Sequence, residues 1–222
     1  MSAFTFAPDR EEILRYLGCT ASPAPEELSL AVERGIRDIL AAARPRTVWR
    51  RFELEGRRLR GTALTLEGGD ILEHLQGCGA VVLMAATLGP DVERLLMRTG
   101  VQDMAAAMVL DACASGAIEA LCNALEEDLR RQMRGQGLWL TGRFSPGYGD
   151  MPLSQQRELC EVLDVQRRIG LTLSPTGLMI PRKSVTALMG LSDKPLHPQS
   201  GGCERCSMYD RCLMRKGGNC CE

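Results

Sequence analysis

AVVLMAAT, residues Ala80–Thr87, is a run of seven apolar residues closed by a threonine. A strand with one wet face alternates polar and apolar residues, and this one does not, so it reads as a strand buried on both faces. Leu88-Gly89-Pro90 ends it and launches a helix, since proline suits the first helical turn. A strand covered twice needs neighbours on both sides, and the flanking sequence supplies them. Upstream, Thr47–Leu54 and Arg58–Leu66 are β-rich runs joined by Glu55-Gly56-Arg57, the pattern of a hairpin, and Asp70–Gln76 reads as a short helix. Further upstream, Arg10–Leu17 and Pro25–Ala43 are amphipathic helices separated by a small-residue and proline loop at Thr20–Pro25.

Downstream, no proline occurs from Val101 to about Arg134, and Ile118, Leu121, Leu125 and Leu129 recur at helical spacing. This predicts one long helix broken near Gly135. Its middle, Ala112–Ala117, is a run of small residues that lets another element or a ligand come close, plain packing being the commoner cause. A helix at Ser154–Val165 and short strands near Leu171–Leu173, Leu178–Ile180 and Ser184–Leu191 follow. Strands arrive in hairpin-like groups with helices inserted between them, and no internal repeat is present. The fold class is therefore α+β, a mostly antiparallel sheet with flanking helices. Three segments are expected: residues 1–45 as an N-terminal helical cap, 46–192 as the core, and 193–222 as a linker and cysteine-rich tail.

The chain has 222 residues, enough for one large domain, and its 27 Lys and Arg nearly balance 28 Asp and Glu. That balance gives no electrostatic reason to expect nucleic acid or an anionic membrane, so a small molecule or a protein is the expected partner. The opening MSAFTFAPDREEILRYLG lacks a basic segment followed by an apolar one, and the run Ala80–Ala86 is too short to span a bilayer. A cytoplasmic protein is expected. Its ten cysteines fall into two populations. Cys19, Cys78, Cys113, Cys122 and Cys160 stand singly among apolar residues and read as small buried hydrophobes. Cys203, Cys206, Cys212, Cys220 and Cys221 crowd into the last twenty residues.

The loop Arg143-Phe-Ser-Pro-Gly-Tyr-Gly-Asp150 carries the residue types of a binding site. A guanidinium grips a carboxylate bidentately, Gly147 lets backbone approach a ligand, and Tyr148 offers an aromatic face and a hydroxyl to a base or a positive sulfur. The same residues also make a plain tight turn, with Arg143 solvated and Tyr148 packed on the core. Glu119, on the long helix at the edge of an apolar face, wants a cationic or donor partner, or is an ordinary boundary glutamate. Only His74 and His197 are present, and neither is expected in this site, so a histidine-based nucleophilic mechanism has little support.

Arg143-Phe-Ser-Pro-Gly-Tyr148, followed by Leu171-Thr-Leu-Ser174, Met179-Ile-Pro181 and Lys183-Ser-Val185, resembles the activation domain of cobalamin-dependent methionine synthase. The likeness covers about Ala80 to Leu191 well, the first 75 residues loosely and the cysteine tail not at all. It implies that Arg143, Ser145, Gly147 and Tyr148 bind S-adenosylmethionine, Ser145 standing where alanine is usual. Counting along the preceding helix places the family's pocket glutamate on Glu119. An acidic residue near the start of that domain and a tyrosine beyond its last strand have no assigned counterpart. The resemblance further implies a cobalamin-binding methionine synthase or related corrinoid protein as partner, cobalamin being held by that partner, and a separate electron donor.

Cys203-Glu-Arg-Cys206, with Cys212, Cys220 and Cys221, supplies enough thiolates for zinc or an iron-sulfur cluster, or forms a thiol-rich tail. Two other readings of the chain follow. One is a metal or iron-sulfur redox adaptor for a corrinoid protein, with the tail as its working part; the other is an independent S-adenosylmethionine-dependent methyltransferase.

Overall fold

The computed structural model describes residues 5–19 and 23–195. Five strands, β1 (Arg46–Glu55), β2 (Arg58–Leu59), β3 (Ala80–Thr87), β4 (Trp139–Leu140) and β7 (Ser184–Ser192), form one sheet in the order β2-β1-β3-β7-β4. A separate ribbon pairs β5 (Thr172–Leu173) with β6 (Met179–Ile180). Every pairing is antiparallel.

β3 lies at the centre, and all eight of its residues are buried. Alternate side chains of a strand point to opposite faces. Ala80, Val82, Met84 and Ala86 accordingly join one apolar cluster, with α1 (Arg10–Tyr16), α2 (Glu26–Ala42), α4 (Pro90–Gln102) and α5 (Met104–Arg134). Val81, Leu83 and Ala85 join the other, with α3 (Gly69–His74), α6 (Gln155–Leu163) and α7 (Val165–Ile169). The α+β, antiparallel reading holds, as a sheet with helices on both faces.

The small residues of α5 serve packing. Gly116 sits so close to Ile13 that a Cβ there would come within 2.7 Å of Ile13 Cγ1, and a Cβ on Gly35 of α2 would come within 2.8 Å of Cys113 Sγ. These two close approaches seat α1 and α2 on α5. By length and composition α5 is apolar enough to cross a membrane, an outcome the shorter apolar runs did not foretell. Its apolar face is buried against α1, α2 and the sheet.

Several elements differ from expectation. The helix expected over Ser154–Val165 ends at Leu163, where Asp164 takes φ 53°, and α7 and β4 are additional. The long helix starts at Met104 rather than Val101, because Asp103 has an extended backbone and its carboxylate accepts the Ala106 N–H at 3.0 Å, so it caps α5 and separates it from α4. The predicted strand Arg58–Leu66 shrinks to two residues. Gly61, at φ 77°, turns the chain back, and the Leu59 N–H bonds the Leu64 carbonyl at 3.0 Å.

Candidate functional site

After β4, residues 141–144 run beside β7. The Thr141 N–H bonds the Gly190 carbonyl at 2.9 Å, while Phe144 and Leu188 exchange backbone bonds of 2.9 and 2.8 Å. Gly142 and Arg143 thus lie opposite the single residue Met189, the count of a β-bulge. A bulge re-aims a side chain, and here Arg143 turns onto α5.

On α5 the guanidinium meets Glu119, Asn123 and Glu126. Nη2 lies 2.6 Å from Asn123 Oδ1 and 3.3 Å from Glu119 Oε2, and Nε lies 3.0 Å from Glu126 Oε2. The three partners stand at i, i+4 and i+7, one face of a helix. Glu126 also holds Arg130 at 2.6 Å, and Arg130 in turn bonds the Leu140 and Thr141 carbonyls at 2.7 and 2.8 Å. Two guanidinia and two carboxylates make the cluster electrically balanced. Its least covered charged member is Glu119, whose side chain is 37 % exposed against 17 % for Glu126. Beneath it, burial chiefly pushes the Cys122 thiol up to about 12, with Glu119 and Glu126 adding to the effect and Arg143 opposing it.

The loop then turns sharply. Gly147 takes φ 91°, a conformation that favours glycine, and its N–H bonds the Met151 carbonyl at 3.0 Å, while the Tyr148 N–H bonds the Ser145 carbonyl at 3.0 Å. The Tyr148 side chain stays largely exposed, its ring edge-on to Phe144 at 6.3 Å between centroids. The plain-turn arrangement, Arg143 solvated and Tyr148 packed on the core, is thus reversed on both counts.

The structure brings Arg143 and Glu119 together, while Ser145, Gly147 and Tyr148 lie in the turn that follows in the chain, with Tyr148 against Phe144. Sequence reasoning missed Asn123 and Glu126, whose signal was their helical spacing from Glu119. It also set His74 apart from the site. His74 Nε2 lies 2.9 Å from the Gly142 carbonyl and 2.8 Å from Thr141 Oγ1, and its ring lies 5.2 Å from that of Phe144. Desolvation is the larger influence on His74 and lowers its pKa, so the ring is neutral at neutral pH.

A groove of about 730 Å³ opens along the first half of α5, where Asp111 and Ser115 lie two turns and one turn before Glu119. Lys183 bonds two of its lining residues, with Nζ 3.0 Å from Asp111 Oδ1 and 2.9 Å from Ser115 Oγ. Among the scattered cysteines, Cys113, Cys122 and Cys160 are buried, and Cys19 and Cys78 are half-buried. Cys203, Cys206, Cys212, Cys220 and Cys221, and His197, lie outside the described residues. Among the described residues, no group of three or more His, Cys, Asp or Glu side chains is placed to hold a metal ion.

No protein-family profile and no curated protein sequence matches the chain. Among solved structures, it is similar to the MetH reactivation domain bound to AdoHcy, at 16 % identity and a TM-score of 0.56, over 88 % of this chain and 75 % of that one. The chain shares the fold of that domain.

Proposed function

We propose that this protein binds S-adenosylmethionine against the Arg143–Tyr148 loop and presents it for reductive remethylation of a cobalamin held by a separate chain, a methionine synthase or a related corrinoid protein. An external donor supplies the electron. In this reading residues 46–192 hold the ligand, residues 1–45 cover α5, and the protein is the activation component of a methyltransferase system.

The observation that carries the reading is the Arg143–Glu119 pair, 3.3 Å long, at the partly exposed edge of a neutral cluster and five residues before an exposed tyrosine. A zwitterionic amino-acid end fits such a pair, because its carboxylate takes the guanidinium and its ammonium takes the freed Glu119 without leaving either charge alone. The Tyr148 ring offers a face to the nucleoside or the sulfonium. The shared fold with a reactivation domain bound to AdoHcy supports the same ligand class.

When bound, the sulfonium supplies an electrophilic methyl group. The chain's residues hold and orient it, and positioning supplies their effect. Neutral His74 is engaged with the loop backbone rather than aimed at a ligand.

Titration calorimetry with S-adenosylmethionine and S-adenosylhomocysteine tests this. The wild type is expected to bind, and Arg143→Ala to lose roughly 2 kcal/mol, about thirtyfold, as befits a charge-assisted hydrogen bond. A wild type that binds neither compound sinks the reading. The partner is tested by adding the protein, S-adenosylmethionine and a reductant to an oxidised methionine synthase that lacks its own activation region. Return of activity is expected.

A further inference from the structure

We infer that α3 is a two-point clamp that fixes the Arg143–Asp150 loop in its ligand-binding conformation, with Asp70, His74 and Asp150 as positioning residues. The inference rests on the proposed function for its consequence and on geometry alone for the clamp itself.

Asp70 and His74 stand one helical turn apart, on one face of α3. His74 holds the beginning of the loop through the Gly142 carbonyl, Thr141 Oγ1 and the ring of Phe144. Asp70 holds its end, since Asp70 Oδ2 accepts the Asp150 N–H at 3.2 Å. Asp150 returns the bond twice, its Oδ2 accepting the Gly69 N–H at 2.6 Å and its Oδ1 the Asp70 N–H at 3.0 Å. The two aspartates therefore cap each other's backbone across 80 residues of sequence.

Two glycines make room for this interlock. Gly149, at φ 52°, places its missing Cβ where the Asp70 carboxylate sits, and a Cβ on Gly68, at φ 112°, would come within 2.6 Å of Asp150 Oδ1. Side chains at either position would both strain the backbone and drive the partners apart. Arg143 and Tyr148 lie between the two anchor points, so neither shifts along the chain while both anchors hold. The loop is thereby ordered before ligand arrives, and the entropy of ordering it is not charged to binding.

The test compares the full-length wild type with Asp150→Ala and His74→Ala by hydrogen exchange and by titration with S-adenosylhomocysteine. Both variants are expected to exchange faster across residues 143–151 while β3 keeps its protection, and saturating ligand is expected to restore protection to the loop. If a released loop holds the competent conformation about a tenth of the time, affinity falls about tenfold. Asp150→Asn keeps one acceptor and is expected to fall between. Unchanged loop exchange in both alanine variants would overturn the clamp, whether or not the wild type binds ligand. A loosened loop with wild-type affinity would overturn the positioning role. Absence of binding by the wild type would instead overturn the proposed function, leaving the exchange comparison to decide the clamp.

Discussion

Asp150 is exposed, yet its carboxyl is held below the usual carboxylate range, first by the Gly69 N–H and next by the Asp70 N–H, both donating to it. Unfolding removes those donors and returns the group to its ordinary value. A carboxyl depressed in the folded state adds stability above its unfolded pKa and loses it as pH falls through the folded one. Asp150→Asn is therefore expected to unfold at lower urea than the wild type at about pH 6, with the difference narrowing as pH falls below the ordinary carboxylate range. A difference that ignores pH would show that the cap works without its charge. Cys122 behaves in the opposite sense. Its thiol, raised to about 12 by burial above all, stays protonated at neutral pH and is no nucleophile, although it lies under Arg143. At this scale the sequence showed residue types well and partners poorly. Arg143 and Glu119 were legible as a cation and an acid in search of company, whereas Asn123 and Glu126 gained meaning only when the bulge at Gly142–Arg143 turned the guanidinium onto α5.

At the scale of elements, α5 shows how a small-residue run resolves. Ala112–Ala117 permitted either a ligand or a neighbour, and its Gly116 is filled by Ile13. Gly116→Val is expected to lower stability by about 1–3 kcal/mol through overpacking against Ile13, read as a fall in the urea midpoint at unchanged slope. A near-neutral result would mean that α1 adjusts freely. The elements with a strong apolar pattern were read close to their true bounds, the unbroken run of β3 and the amphipathic α2 among them. Those set by a single local contact were not. The Asp103 cap and the Gly61 turn each decide a boundary through one residue, and a proline-free or β-rich stretch does not reveal them.

For the whole molecule, the sheet separates two apolar clusters and belongs to both. Val32 and Ile39 of α2 lie in the same cluster as Val82 and Met84 of β3, so the N-terminal helices and the sheet share one core. Ile39→Ala is expected to cost about 2–5 kcal/mol and to shift one cooperative transition, with circular dichroism and the fluorescence of Trp49 and Trp139 moving together. Separate transitions would indicate that residues 1–45 unfold by themselves.

The sequence by itself determined the layers: a wholly apolar β3, amphipathic helices around it and hairpin-like strand groups specify a covered antiparallel sheet, because periodicity is local and solvent enforces it. It also determined which loop holds the glycine, arginine and tyrosine of the candidate site. Only the tertiary structure decided that α3 grips that loop at both ends and that α5 neutralises its arginine. Those contacts join residues such as Asp70 and Asp150, which no local pattern relates and which meet only once the sheet has closed between them.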